Sequence, residues 1–194
     1  MNEHRAKRIP GMGTVEYDTR KAFLEFRDQD ALTLAELGKH LASLKTSFIE
    51  RLYDHLLKFD EPRNMLSDPA RLSHLKQMQA EYFARLFAGD YGSAYGEDRQ
   101  RVGVAHQRAG LDPKWYVGTY ALYLRMLLPE IAKTAGNDWS RALAYCDSLV
   151  KVIFLDMGIA IDTYIAADKR QMANLKEFYE RIVASVPAGL LVVD

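Results

Sequence analysis

The sequence predicts an all-α fold, because apolar residues recur at three- and four-residue spacing from Asp30 to Asp168 and no stretch shows the sustained alternation of a strand. Proline and glycine are sparse, and several of them stand at the ends of the periodic segments. We therefore expect six or seven helices with short connections and no strand before Ser185.

The first long helix is predicted from about Leu32 to Phe59. Its end is set by Asp60-Glu61-Pro62, since proline lacks the N–H that an inner turn needs and biases the preceding residue away from helical angles. A short turn of helix is expected to follow at Arg63–Leu66. One face of the long helix carries Leu41, Leu44, Phe48, Leu52 and Leu56.

The second helix is predicted to begin at Ser67-Asp68-Pro69, where a capping side chain precedes a proline in the first turn. Gly89 and Gly92 are expected to close it, in a loop that ends near Gly96. Its apolar positions are Leu72, Leu75, Met78, Tyr82 and Leu86.

Three more helices complete the expected domain. One is predicted from about Glu97 to Ala109, and the next opens at Asp112-Pro113, which again combines a cap with a first-turn proline. Asn137-Asp138 interrupts the pattern, and the last helix is expected to run from near Trp139 to beyond Asp168.

The C-terminal residues have a different pattern. Val186-Pro187-Ala188-Gly189 is typical of a turn, and Leu190 to Val193 is typical of a buried strand. Since an all-α domain offers such a strand no partner, we expect residues 169–194 to be a linker helix and the start of a following α/β domain. The alternative is an apolar terminus without a structural role.

Composition excludes several classes of function. Lysine plus arginine and aspartate plus glutamate both number 26, which argues against a nucleic-acid-binding protein. Cys146 is the single cysteine, so a disulfide framework or a cysteine-ligated metal cluster is excluded. The chain shows neither a secretory signal nor an apolar run of about 18 residues. We therefore expect a cytoplasmic protein with no membrane partner.

Familiar catalytic motifs are missing from the sequence, including phosphate-binding glycine loops and the His-Glu-x-x-His pattern. We accordingly predict no catalytic residue in this chain. Most histidines also have polar surroundings typical of surface positions: His4, His40, His55 and His74.

His106 differs from them, because it shares the predicted apolar face of its helix with Val102, Ala105 and Ala109. Such a histidine is either a hydrogen-bonded core residue or a ligand. Zinc needs three or four ligands, whereas haem needs one axial histidine and an apolar slot. The 11 tyrosines, 8 phenylalanines and 2 tryptophans could line such a slot or simply form an aromatic core.

The stretch from His106 to Gly118 resembles the proximal-histidine segment of globin-coupled sensors, with the histidine, Gly-Leu-x-Pro and Trp-Tyr-x-Gly in the same order. Leu75-Lys76 and Leu86-Phe87-Ala88-Gly89 are similar to the family's distal helix. Leu52-Tyr53 and Leu56-Leu57 are similar to another of its helices. The resemblance covers roughly residues 20–168.

This resemblance implies a haem b (iron protoporphyrin IX) site built from five residues. His106 is implied as the axial ligand to the metal and Tyr53 as the distal hydrogen-bond donor to a gas ligand. Leu75 is implied as a distal residue that limits water access, and Tyr116 as a proximal neighbour. Met78 departs from the family, since some members have a polar residue there.

The resemblance also implies a globin-like sensor domain at 20–168, preceded by a tail at 1–19. The last two helices, Pro113–Thr134 and Trp139–Asp168, are implied to form a dimeric four-helix bundle. Residues 169–194 are then a linker helix and the start of a following domain, because Val186 to Asp194 resembles the opening of a PAS domain. The expected function is sensing of O2, or of CO or NO, for a C-terminal output module such as a histidine kinase or a diguanylate cyclase.

Two alternatives stay open at this point. One is a globin carrier or enzyme that handles O2 or NO without signalling. The other is a cofactor-free helical dimerisation module in which His106 is structural.

Overall fold

The computed structural model describes residues 13–185, which are folded into eight α-helices and one 3-10 turn, with no strand among them. The predicted all-α class is thus confirmed. The positions predicted as a strand, 186–194, lie outside the described residues. The helices are α1 (Thr14–Phe23), α2 (Asp28–Leu41), α3 (Lys45–Leu56), α4 (Asp60–Met65), α5 (Pro69–Leu86), α6 (Ser93–Arg108), α7 (Pro113–Ala135) and α8 (Trp139–Ser185).

Two helix starts follow from local side-chain chemistry as expected. The Asp68 carboxylate accepts a hydrogen bond from the Ala70 N–H at 3.0 Å, and the Asp112 carboxylate accepts one from the Lys114 N–H at 2.9 Å. In both helices the next residue is proline, whose fixed φ suits the first turn. These caps fix where α5 and α7 begin.

The single helix predicted from Leu32 to Phe59 is wrong. The structure divides it into α2 and α3 by a 3-10 turn at Ala42–Leu44, and α2 already begins at Asp28. Leu41 and Phe48 are both buried and lie seven residues apart, so the apolar pattern stays in phase across the bend. Because neither glycine nor proline marks the bend, we attribute it to the different packing partners of the two halves, since α2 packs against α8 and α3 packs against α5.

The other helix boundaries differ from the predicted ones by smaller amounts. α4 already begins at Asp60, since Pro62 stands in a first turn where its missing N–H is not needed. α6 begins at Ser93 rather than at Glu97, after the extended backbone of Gly92. α1 starts at Thr14 and buries Tyr17, so part of the segment expected as a tail is helical.

α8 is the central helix, and it packs mainly against α6, α7 and α2. Its residues from 168 to 185 are exposed, so the helix continues beyond the body of the domain. No helix within residues 13–185 is both long and apolar enough to cross a lipid bilayer.

The contact between α6 and α8 depends on Gly103. A Cβ added there would lie 2.7 Å from Thr163 Oγ1 and 2.8 Å from Ala160 Cα, both on α8. Since the second of these atoms belongs to the backbone, it cannot move aside as a side chain could. The two helix backbones therefore approach as closely as they do only because position 103 has no side chain.

Asp98 links α6 to α5. Its carboxylate pairs with Arg85 of α5 at 2.5 Å, with Arg101 at 3.1 Å and with the buried Arg99. Burial alone would raise the pKa of Asp98, but the hydrogen bonds from the arginines outweigh it and lower that pKa to about 2. The carboxylate is thus charged in the native state over the ordinary pH range.

We expect Gly103→Ala to lower the free energy of unfolding by about 1–3 kcal/mol, because the added methyl group overpacks the contact between α6 and α8. Gly118→Ala in α7 is the matched control. A Cβ there meets nothing within 4 Å, so this change should stabilise the helix by up to about 1 kcal/mol. Urea unfolding of both variants measures the difference, and equal effects would contradict the close approach.

Asp98→Asn should lower the free energy of unfolding at pH 7 by about 1 kcal/mol. A pKa near 2 instead of the ordinary 3.8 corresponds to more than this, but solvent screens a carboxylate whose partners Arg85 and Arg101 are exposed. Because the folded pKa is the lower one, this stabilisation is present above pH 4 and is lost as the pH falls from about 4 to 2. The free energy of unfolding of the variant should therefore fall less than that of the wild type as the pH falls through that range. Glu97→Gln is the control. Glu97 is the exposed neighbour of Asp98, so this variant should keep the wild-type acid unfolding curve.

Candidate haem site

His106 lies near the end of α6, with its ring held by its own helix. Nδ1 is 2.9 Å from the Val102 carbonyl oxygen, which can only accept, so Nδ1 carries the proton and donates. Nε2 is then the nitrogen with a free lone pair. Burial lowers the pKa of His106, which favours the neutral imidazole that ligates metals.

Tyr116 packs against this imidazole, with the two ring centroids 4.9 Å apart. It stands in α7 one turn after the Asp112 cap, and its hydroxyl lies 2.8 Å from that of Tyr120. The structure thus brings His106 and Tyr116 together. The other residues on the predicted face of α6 differ: Val102 is half-buried, whereas Ala105 and Ala109 are exposed.

Tyr53 lies on α3 and is 6% exposed. Burial raises its pKa to about 12, so the hydroxyl keeps its proton. This hydroxyl makes no hydrogen bond with any residue from 13 to 185. The Lys76 ammonium stands 5.9 Å above the Tyr53 ring and is paired with Glu50, so α3 and α5 are tied together beside it.

Leu75 and Met78 both lie on α5, which packs against α3, but their surroundings differ. Leu75 is half-buried and packs against the main hydrophobic core. Met78 is 47% exposed. Tyr53 and Leu75 thus lie on two helices that pack against each other, whereas Met78 faces solvent.

The remaining histidines differ from His106 in their surroundings. His40 and His74 are exposed as expected, and His4 lies outside the described residues. His55 is half-buried instead, because its ring packs against Phe59 with centroids 5.3 Å apart.

The residues present fit a haem. The described part of the chain holds no group of three His, Cys, Asp or Glu side chains placed to bind a metal ion. Haem iron needs one imidazole from the protein, and His106 offers an Nε2 lone pair. Tyr53 adds an O–H donor that bonds to no residue from 13 to 185. This donor set suits a gas-binding haem better than a zinc site.

Sequence reasoning missed a buried polar cluster on α5, α6 and α8. Asp156 of α8 is fully buried, and its Oδ2 accepts hydrogen bonds from the hydroxyls of Tyr82 and Tyr95, both at 2.9 Å. Arg99, which is 3% exposed, stacks on the two tyrosine rings at 4.5 and 5.1 Å. Burial raises the pKa of Asp156 to about 7. An acidic residue within the run Ile153-Phe154-Leu155-Asp156-Met157 was the available signal.

Comparison with known proteins bears on this site directly. The family model described as Protoglobin matches residues 15–170. A curated relative, the "Heme-based aerotactic transducer HemAT" of Halobacterium salinarum, is 30% identical over 164 residues. That alignment covers 80% of this chain but 34% of the relative, so the chain spans about a third of the relative's length.

A solved structure is also similar, the globin domain of a globin-coupled sensor from Geobacter sulfurreducens. It is 26% identical with a TM-score of 0.72, and the match covers 76% of this chain and 96% of that one. The predicted resemblance to globin-coupled sensors and the globin-like fold are thereby confirmed. Because the family model accounts for most of the sequence, including every residue of the candidate site, the chain belongs to the protoglobin family.

Proposed function

We propose that residues 13–185 form a haem-based gas-sensing domain, with O2 as its first candidate ligand and CO and NO as others. The observation that carries the proposal is the His106 imidazole, whose Nδ1 is held by Val102 so that Nε2 is left to ligate iron. The two relatives support it, since one is named as a haem-based transducer and the other as part of a globin-coupled sensor.

The group we propose is haem b, which when bound supplies reversible coordination of a diatomic gas. His106 holds it from α6, and Val102 keeps the imidazole in the tautomer with Nε2 unprotonated. Tyr116 limits the rotation of that ring by packing against it. Residues that contact a metal-bound histidine in this way orient its ring, and the hydrogen bond to the other ring nitrogen sets its basicity.

On the other side, Tyr53 donates its O–H to a gas ligand that carries partial negative charge. Its buried position makes the hydrogen bond stronger than the same bond in water. Leu75 contributes apolar surface that excludes water. Met78 offers no proton to donate, so Tyr53 is the donor that we assign to the ligand.

A signalling role is favoured over a carrier by the shape of α8. Residues 168–185 leave the body as an exposed helix with apolar side chains at three- and four-residue spacing: Met172, Leu175, Tyr179 and Ile182. A helix with such a stripe needs a partner helix to cover it. We infer that it links the sensor to an output module such as a histidine kinase or a diguanylate cyclase.

The second copy of the chain is the partner that we propose for α7 and α8. Leu143 is 66% exposed and Phe154 is 49% exposed, and Val150 lies between them on the same side of α8. Met157 and Ile161 continue this stripe with half-buried side chains. A homodimer through the last two helices would cover it, in the cytoplasmic setting that we expect for such a sensor.

His106→Ala should abolish haem uptake or weaken it strongly, because the change removes the nitrogen assigned to iron. The measurement is the Soret absorbance of purified protein titrated with haem. His74→Ala is the matched control, since His74 is an exposed histidine on α5 and should leave uptake unchanged. A wild-type protein that stays colourless after haem addition would contradict the proposed function.

Tyr53→Phe should speed O2 dissociation by about 10- to 100-fold, the effect of losing a hydrogen bond worth roughly 1–3 kcal/mol. Stopped-flow release of O2 from the ferrous protein gives the rate. Tyr145→Phe is the control, because that hydroxyl is bonded to Glu36 and Arg141 instead. An unchanged rate in Tyr53→Phe would remove Tyr53 from the ligand-binding role.

A further inference from the structure

One face of α6 carries both the proposed haem ligand and the buried arginine. Arg99, Gly103 and His106 stand at positions i, i+4 and i+7, so they line the same side of the helix. α8 has a matching set at the same spacing: Asp156, Ala160 and Thr163. Arg99 lies near Asp156, and Gly103 lies against the other two, so these helices advance side by side.

α6 is attached to α8 again beyond His106. The Tyr164 hydroxyl donates to the Leu111 carbonyl oxygen at 3.0 Å, and the Leu111 N–H donates to the His106 carbonyl oxygen at 3.1 Å. His106 therefore lies between the Gly103 contact and this attachment. If His106 moves and carries α6 with it, at least one of the contacts between α6 and α8 changes.

The Arg99–Asp156 contact is the one that is incompletely made. Arg99 Nη1 is 4.0 Å from Asp156 Oδ2, which is too long for a hydrogen bond. Arg99 Nε, Arg99 Nη1 and Asp156 Oδ1 are buried and have no hydrogen-bond partner. Buried groups are normally satisfied, so a donor and an acceptor left open side by side mark an arrangement that a small shift can close.

We propose that Arg99 and Asp156 form a positioning pair that couples the place of α6, and with it His106, to the place of α8. The inference rests on the proposed function and deepens it by naming the contact through which the haem site acts on the last helix. In one arrangement the pair stands open at 4.0 Å, as here. In the other, a shift of α6 brings Nη1 within hydrogen-bond distance of the carboxylate.

The buried polar cluster around Asp156 has the features that a positioning pair with two arrangements needs. The Asp156 carboxylate stays anchored in both arrangements by the hydrogen bond from Tyr82, which lies on α5 and does not move with α6. Arg99 stays charged and held through Asp98. A shift of about 1–2 Å, typical of helix movements in switching proteins, is enough to turn 4.0 Å into a hydrogen bond. The states then differ in a contact between α6 and α8.

The test measures the distance between α6 and α8 in the haem-loaded chain. Spin labels are placed at Glu97→Cys and Lys169→Cys in a Cys146→Ser background, and the labelled protein is diluted with unlabelled protein. Pulsed electron paramagnetic resonance compares the ferrous protein with and without CO, at a pH about two units above the pKa of Asp156, which lies at about 7, so that the carboxylate is charged. We expect a shift of about 1–2 Å in the otherwise unchanged chain and its loss in Asp156→Asn, which keeps the shape of Asp156 but removes the charge that draws Arg99.

Tyr95→Phe is the matched control. It also removes a hydrogen bond to the same carboxylate, but it leaves the charges of Arg99 and Asp156 in place, so the shift should persist. If Asp156→Asn does not fold, the double variant Arg99→Gln/Asp156→Asn, which leaves no charge unpaired at the pair, should likewise lose the shift.

A shift that survives in Asp156→Asn or in the double variant would overturn the coupling, and so would the absence of any shift in the otherwise unchanged chain. Loss of the shift in Tyr95→Phe as well would assign it to general loosening of the cluster. In all of these outcomes haem and CO still bind, and the proposed function stands. Failure of the wild-type chain to take up haem would overturn both.

Discussion

The close approach of α6 to α8 at Gly103 is the constraint on which the other features of the domain depend. With a side chain at that position, α6 would stand farther from α8, since a Cβ there meets the Ala160 backbone at 2.8 Å. The same approach brings Arg99 beside Asp156 and lets Tyr164 reach the loop after α6. The helix that carries His106 is therefore positioned along its length by α8.

The residues of the candidate site are held by different means. His106 and Tyr116 are placed by a capped helix start and by the packing of α6 on α8. Tyr53 is placed by α3 against α5 through the Lys76–Glu50 ion pair, which is partly exposed and contributes less. Asp98 then links α5 to α6.

Features fixed by neighbouring residues could be predicted from the sequence, and those fixed by packing could not. The starts of α5 and α7 follow from an aspartate cap and a proline, which act within one turn. The bend at Ala42–Leu44 has no such signal, because the apolar pattern keeps its phase from Leu41 to Phe48. Met78 was placed on the apolar stripe of α5 by its spacing, yet it lies at the edge of that stripe and meets solvent.

The same division applies to the site. His106 could be found because its neighbours in sequence carry the resemblance, whereas the partners of Asp156 lie 57 to 74 residues away. The carboxylate stands inside α8, which no proline interrupts from Trp139 to Ser185. A continuous helix transmits a displacement at one point to its whole length, because each turn is bonded to the next. In the proposed coupling, a displacement of α8 at its contact with Arg99 therefore reaches the exposed residues beyond 168 without any further moving part.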